Sequence, residues 1–253
     1  MAKLSPWYNY WHPEYNGSEP AFVEVEKESW ASELEENYNS FRTEIENFIK
    51  ENPKQYKPYN LKSLNQNSGW STITFKTWGI NVNSNLNKTK TVDEFLKKFP
   101  EILSFAVSKM SAKTVIKPHN GDTNTIWRCH FGIKIPSTLP HCGIEVKSET
   151  KSWEEGKVLA FCDAFNHRAW NQTDEERIIV IFDILRPEFS HLKNKVCINV
   201  RSFMLLQILL EKVSFIGNAP KFIHRFIFGF LKLILIVIYP YQKRKGVLLN
   251  HGG

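Results

Sequence analysis

Between residues 113 and 186 the chain alternates apolar and polar positions in short runs, at roughly 113–118, 124–136, 143–148, 157–162 and 177–186. Gly, Pro, Asn and Ser clusters separate the runs, with no helical period between them. A period of two sends successive side chains to opposite faces, so each run reads as a strand. Strands spaced this closely leave no room for the crossover helices that a parallel sheet requires. The centre of the chain is therefore expected to be an antiparallel sandwich or barrel.

Upstream the period is helical. Trp30, Leu34, Tyr38, Phe41, Ile45 and Phe48 recur at spacings of three and four, which predicts an amphipathic helix over about 26–50 with an acidic outer face. Ser71–Trp78 alternates and reads as a strand. Thr91-Val-Asp-Glu94 has the spacing of a capping box and opens a short helix stopped near Pro100, with a second helix expected from Glu101 to about Lys109. After Pro187 an apolar helix is predicted over Arg201–Phe215. A strongly apolar run, Ile223–Tyr241, follows, interrupted by His224, Arg225 and Lys232 and closed by Lys243-Arg-Lys245. The division expected is a helical part over about 20–110, a β core over about 111–190, together one domain over 1–190, and a helical tail over 191–253.

The charge distribution decides what the tail can meet. Residues 1–190 carry 23 Lys/Arg against 25 Asp/Glu, whereas residues 191–253 carry ten basic residues against the single acid Glu211. The net charge of +7 thus belongs to an apolar tail and not to a nucleic-acid-binding surface. The apolar stretch from Phe226 to Pro240 is about 15 residues with Lys232 inside, short of the roughly 20 that cross a bilayer. A helix lying on an anionic membrane surface through residues 201–245 fits this better than a span or a soluble core or dimer helix. The N-terminus reads as neither signal peptide nor anchor, and Cys129, Cys142, Cys162 and Cys197 are spaced for neither a disulfide framework nor a zinc ribbon. A cytoplasmic protein, peripheral at the membrane, is expected.

Two histidines flank polar turns, His119 in Pro118-His-Asn-Gly-Asp-Thr-Asn124 and His167 in Phe165-Asn-His-Arg-Ala-Trp170, each read as ending a strand. Imidazoles at strand ends suit a shared metal, although a pair of hydrogen-bonded loop histidines would look the same. Arg128 and His130 are two apart on one strand and project from one face, and Arg177 opens the last strand. A metal pair beside two arginines describes a site for a doubly anionic ligand, because guanidinium forks match carboxylates in geometry and charge.

Pro118-His-x-Gly-x-Thr-Asn124, Arg128-x-His130, Trp153-Glu-Glu-Gly-Lys157, Asp163-x-Phe-x-His-x-x-Trp170 and Arg177-x-Ile-x-Ile-x-Asp183 with Arg186-Pro-Glu188 together resemble the aspartyl/asparaginyl β-hydroxylase family. The resemblance covers about residues 100–190, with a weaker echo in Trp30 to Ile45. It implies a double-stranded β-helix, a cupin-like jelly roll with flanking helices. It also implies an Fe(II)- and 2-oxoglutarate-dependent dioxygenase that consumes O2, with ascorbate as an aid. His119 and His167 then correspond to the iron ligands. Arg128 and His130 correspond to binders of the 2-oxoglutarate C1 end, Arg177 to the partner of its C5 carboxylate, and Ser108 and Met110 to the lining of the co-substrate pocket. Gly121 stands where most such oxygenases carry a third, carboxylate ligand, which leaves water or Asp122 for that position. Trp153–Lys157 is read as a structural turn and Trp170 as packing. The family implies hydroxylation of the β-carbon of an Asp or Asn residue in a peptide or protein. The alternatives are a membrane lipid acyl chain, as in lipid A hydroxylases, a small molecule, and a non-catalytic binding module of the same fold. Specificity is expected in residues 137–142, which include His141, and in 60–87.

Overall fold

The computed structural model describes residues 5–11, 14–59 and 69–247. Among them the strands form two antiparallel sheets. The large sheet runs in the order β1 (Phe22–Val23), β10 (Val158–Phe161), β7 (Ile126–Lys134), β12 (Arg177–Leu185), β5 (Ile102–Met110), β3 (Trp70–Thr77) and β2 (Lys57–Pro58), with β4 (Ile80–Asn81) paired to β3. The small sheet runs β6 (Thr114–His119), β11 (His167–Asn171), β8 (Cys142–Val146) and β9 (Glu149–Lys151). From β5 to β12 the chain crosses repeatedly from one sheet to the other, which is the winding of a double-stranded β-helix. The fold is mainly β, as the spacing of the strand signals predicts.

Period two sorts the side chains of the central strands. On β12, Ile178, Val180, Phe182 and Ile184 point into a core shared with helices α1 (Ser29–Glu36), α2 (Tyr38–Glu51) and α4 (Lys90–Lys98). Ile179 and its neighbours on the opposite face point between the sheets. Cys129, Phe131 and Ile133 of β7 join the helical side, so Arg128 and His130 face the inter-sheet cleft. Trp30, Leu34, Phe41, Ile45 and Phe48 are buried against the large sheet. Each such side chain contributes about 1.5–3 kcal/mol of burial, which covers the large sheet on its outer side and leaves the inter-sheet end for chemistry.

Several local expectations change. The stretch expected as a helix from Glu101 to Lys109 is strand β5, hydrogen-bonded to β12 on one side and β3 on the other. Ile102, Leu103, Phe105, Val107, Ser108 and Met110 are all buried, so burial on both faces of β5 blurs the alternation that separates strand from helix. The helix over 26–50 is broken at Asn37, whose backbone leaves the helical region and whose Nδ2 donates to Glu33 O. No capping box forms at Thr91: α4 starts at Lys90, and the Glu44 carboxylate of α2 accepts the amides of Thr91 and Val92 at 2.8 and 3.0 Å. That capping interaction joins two helices 47 residues apart.

Beyond β12 the chain forms α5 (Lys193–Lys212), α6 (Ser214–Gly217) and α7 (Lys221–Lys245); the short helix α3 (Asn83–Leu86) lies earlier, after β4. The helix expected over Arg201–Phe215 thus starts eight residues sooner, at Lys193, and ends at Lys212, with Phe215 falling in α6. Val196, Cys197 and Val200 of α5 and Tyr239 of α7 pack on Trp78, Ile80, Leu103, Ile126, Leu185 and Phe189, making a third core at one end of the β-helix. All four cysteines are free and buried.

Candidate active site

Antiparallel pairing of β6 and β11 sets His119 directly opposite His167. His119 ends its strand as expected, whereas His167 opens β11. The ring centroids are 4.2 Å apart. Each Nδ1 lies 2.8 Å from a backbone carbonyl, Lys117 O for His119 and Phe165 O for His167. A carbonyl only accepts, so each Nδ1 carries the proton and each Nε2 presents a lone pair. Burial is the main force holding both rings neutral, lowering the pKa of His119 to about 4 and that of His167 well below the ordinary value. Neutral imidazoles with the far nitrogen pinned to a carbonyl are the form in which histidine binds metal.

Beside them lies Asp163, fully buried, its Oδ1 3.7 Å from His167 Nε2. The role of Gly121 follows from it. A Cβ at position 121 would run into the Asp163 carboxylate, while the amides of Gly121 and Asp122 donate to Asp163 O at 2.8 Å and Oδ2 at 3.2 Å. The space that a carboxylate at 121 would need is thus held by a carboxylate from the loop before β11. Arg128 fixes it: Nη1 is 2.6 Å from Asp163 Oδ1, and Nε and Nη2 donate to the two Asp183 oxygens at 2.8 and 3.2 Å. The guanidinium of Arg128 lines the cleft with its donors committed to protein carboxylates. Among the described residues no three His, Cys, Asp or Glu side chains converge as a ready-made metal cage. The donor set is therefore two imidazoles with one carboxylate set slightly back.

Arg177 sits at the other end of the cleft, 1% exposed. Its Nη2 reaches Ser108 Oγ at 3.4 Å, its Nε has no partner, and among the described residues it forms no ion pair. Burial lowers its pKa to about 10. A buried cation without a counter-ion is costly and asks for an anion. Met110 is opposite Arg177 in the β5–β12 register and Ser108 lies two residues before it, with Ser108 Oγ also accepting Trp70 Nε1 at 3.0 Å. The cleft between is lined by Trp70, Ile116, Arg128, His130, Ile144 and Phe161, with the two histidines and Arg177.

Trp153 has a more specific place than a structural turn. It is buried, its Nε1 donates to His130 Nδ1 at 2.9 Å, and the Arg177 guanidinium stacks 4.7 Å from its ring. Because His130 Nδ1 accepts, the proton lies on Nε2, which makes His130 a neutral donor. One indole thus orients two site residues contributed by neighbouring strands. Trp170 packs, its Nε1 donating to Pro140 O at 2.8 Å. Of the expected specificity regions, residues 60–68 lie outside the described residues.

The motif residues around the histidine turn tie in the N-terminus. Asn124 Oδ1 accepts Trp7 N, Thr123 Oγ1 donates to Trp7 O, and Asn9 N donates to Asp122 O. Arg186 joins Glu19 to Asn124 O.

A family model described as aspartyl/asparaginyl β-hydroxylase matches residues 35–187, more than half of the chain. The chain belongs to the aspartyl/asparaginyl β-hydroxylase family. The match reaches well upstream of the motifs, through α2, α4 and β3. An ornithine lipid ester-linked acyl 2-hydroxylase of Rhizobium tropici is 26% identical over 162 residues, covering 62% of this chain and 58% of that one. The human aspartyl/asparaginyl β-hydroxylase is 33% identical over 194 residues, covering 74% of this chain and 24% of that one. The chain therefore spans little more than half of one of these relatives and a quarter of the other. A Pseudomonas putida prolyl-4-hydroxylase structure aligns at a TM-score of 0.39 with 9% identity, over 62% of this chain and 98% of that one.

Proposed function

We propose that this hydroxylase uses Fe(II) and 2-oxoglutarate. The observation that carries the reading is the buried Arg177 guanidinium, which has no ion-pair partner among the described residues, sharing one cleft with two neutral imidazoles whose Nε2 lone pairs are available. His119 and His167 would hold the metal and Arg177 the C5 carboxylate of the co-substrate, with Ser108 and Met110 beside it. When bound, the iron and 2-oxoglutarate supply an oxidant strong enough for an unactivated C–H bond, with O2 consumed and succinate and CO2 released.

The remaining residues position these groups. Trp153 holds His130 as a neutral Nε2–H donor toward the C1 end of the co-substrate. Arg128 aims Asp163 at the space beside Gly121; burial raises its pKa to about 7 against the lowering effect of Arg128, and there its carboxyl would hydrogen-bond to water beside the metal. Buried aromatic and aliphatic side chains, Trp70, Ile144 and Phe161 among them, keep bulk water away from the reacting centre.

The substrate is first assigned as the β-carbon of an Asp or Asn residue in a peptide or protein. One observation favours a second reading, a lipid acyl chain: α7 exposes a long apolar face that a soluble peptide hydroxylase has no use for. The catalytic part is taken to end near residue 190, with the helices beyond it as an accessory layer.

The test is succinate formation from 2-oxoglutarate by the purified full chain with Fe(II) and ascorbate, beside a variant carrying His119→Ala and His167→Ala. Slow turnover in the wild type and none in the variant is the expected result. Equal rates in the two proteins would overturn the metal assignment.

A further inference from the structure

α7 is built backwards for a helix on the outside of a protein. Phe222, Phe226, Phe230, Leu233, Val237 and Tyr241 are all 56% exposed or more. At 3.6 residues per turn these six positions fall within a stripe about 100° wide running most of the length of the helix. The opposite face is the one that packs, through Leu235 and Tyr239, both 2% exposed. Lys221, Arg225, Lys232 and Lys243 project within about 40° of one another on one flank of the helix, about 60–100° round from the edge of the stripe toward the packed face, and Arg244 falls within the stripe itself. The helix carries six Lys/Arg and no Asp or Glu.

We infer that α7 docks in the plane of an anionic lipid bilayer, its apolar stripe entering the acyl boundary and its flanking lysines and arginines meeting lipid phosphates. This placement is independent of the iron chemistry; only its consequence for the substrate rests on that reading.

Two other occupants of the stripe are disfavoured by features of the helix itself. A second copy docking through this face would bring Lys221 and Arg225 against either themselves or Lys243-Arg-Lys245, with no acid in α7 to neutralise them. The apolar stretch read as too short to cross a bilayer lies in a 25-residue helix that is long and apolar enough to do so; what disfavours a span is that its two ends would have to leave on opposite sides, whereas the C-terminal half of α7 is fastened to the β-helix and α5. Gln242 Oε1 accepts Arg201 Nη2 at 2.9 Å, Lys245 O accepts Asn83 Nδ2 at 2.8 Å, and Val247 bridges to Val82.

Docking would also set the site at the membrane. Tyr10 stacks on Phe203 of α5 and Phe228 of α7, with centroids 4.8 and 4.9 Å away, and Arg225 lies over the Trp11 ring. Two residues earlier the same segment is hydrogen-bonded to the turn that follows His119. One short strip of chain therefore separates the metal-binding turn from the docking helix.

The experiment is flotation of the full chain with vesicles of phosphatidylcholine alone and of phosphatidylcholine mixed with phosphatidylglycerol. The variants are Phe226→Ser/Phe230→Ser/Val237→Ser and Lys221→Gln/Arg225→Gln, all at exposed or flanking positions and each checked by its thermal midpoint. The wild type is expected to float with the mixed vesicles and to release in high salt, with partitioning falling about tenfold or more in the Ser variant and severalfold in the Gln variant. Three results would overturn the inference: no flotation of the wild type, flotation unchanged in a folded Ser variant, or resistance to alkaline carbonate extraction, which would mark a span. A wild-type dimer in gel filtration that the Ser variant converts to monomer, without vesicle binding, would assign the stripe to a second copy instead.

Discussion

The inter-sheet cleft and the outer face of α7 break opposite rules of protein interiors. In the cleft the Arg177 guanidinium is buried with no counter-ion among the described residues; on α7 large apolar side chains are left in water. Stability alone favours neither, since an unpaired buried charge and an uncovered aromatic stripe both cost free energy. What distinguishes the two is how completely the surroundings define the missing partner. Around Arg177, Trp153 and Ser108 fix position and direction to within one carboxylate. Around α7 only a width, a length and a sign of charge are defined, which suits a fluid and extended partner.

The largest effect that would break this comparison lies in the cleft. With His119 and His167 both replaced by Ala, succinate formation should drop to background while vesicle flotation stays at wild-type level. A joint loss of the two activities would mean that the regions are not separable. Next comes Asp163→Asn. Removing one carboxylate from the Arg128 pair leaves a buried charge half-compensated, at a cost of about 3–5 kcal/mol, so the thermal midpoint should fall by several degrees. An unchanged midpoint would mean that Arg128 is held by Asp183 alone. Trp153→Phe keeps the packing and deletes the indole donor to His130. The affinity for 2-oxoglutarate should fall about 10–100-fold with little change in stability, as is usual when a partner that orients a site residue is lost. The smallest effect belongs to the membrane side. Each of Lys243, Arg244 and Lys245 changed singly to Gln should weaken binding to anionic vesicles by about 1 kcal/mol, and only at low salt.

The antiparallel β core and both turn histidines were legible because those signals are local, alternation within a strand and a histidine at a polar turn, whereas the β-helix winding was implied only by the resemblance of the motifs to the family. What the sequence hid depends on distance. Asp163 lies inside a quoted motif, but its work is set by Gly121 and Arg128, more than thirty residues upstream, so nothing near it in the chain announces a role. Trp153 reads as a turn tryptophan until the fold brings its indole to His130. The cap of α4 comes from Glu44, 47 residues before Thr91, whereas the local Thr-x-x-Glu spacing pointed to a self-contained one. β5 was read as a helix because a strand buried on both sides loses the alternation that marks a strand. The apolar, basic character of the tail was legible; that its C-terminal half is fastened to the β-helix was not, because that depends on Asn83, Val82 and Arg201.

The central claim is that Arg177 waits for a carboxylate of a co-substrate held at the metal. It is tested most directly by calorimetric titration of 2-oxoglutarate into the anaerobic, Fe(II)-loaded protein and into Arg177→Leu. The account predicts tight binding by the wild type and a loss of about 100-fold in the variant, the value of a charge-assisted, bidentate contact. Equal affinities in two folded proteins would contradict it, and would leave the buried arginine without an explanation in this reading of the site.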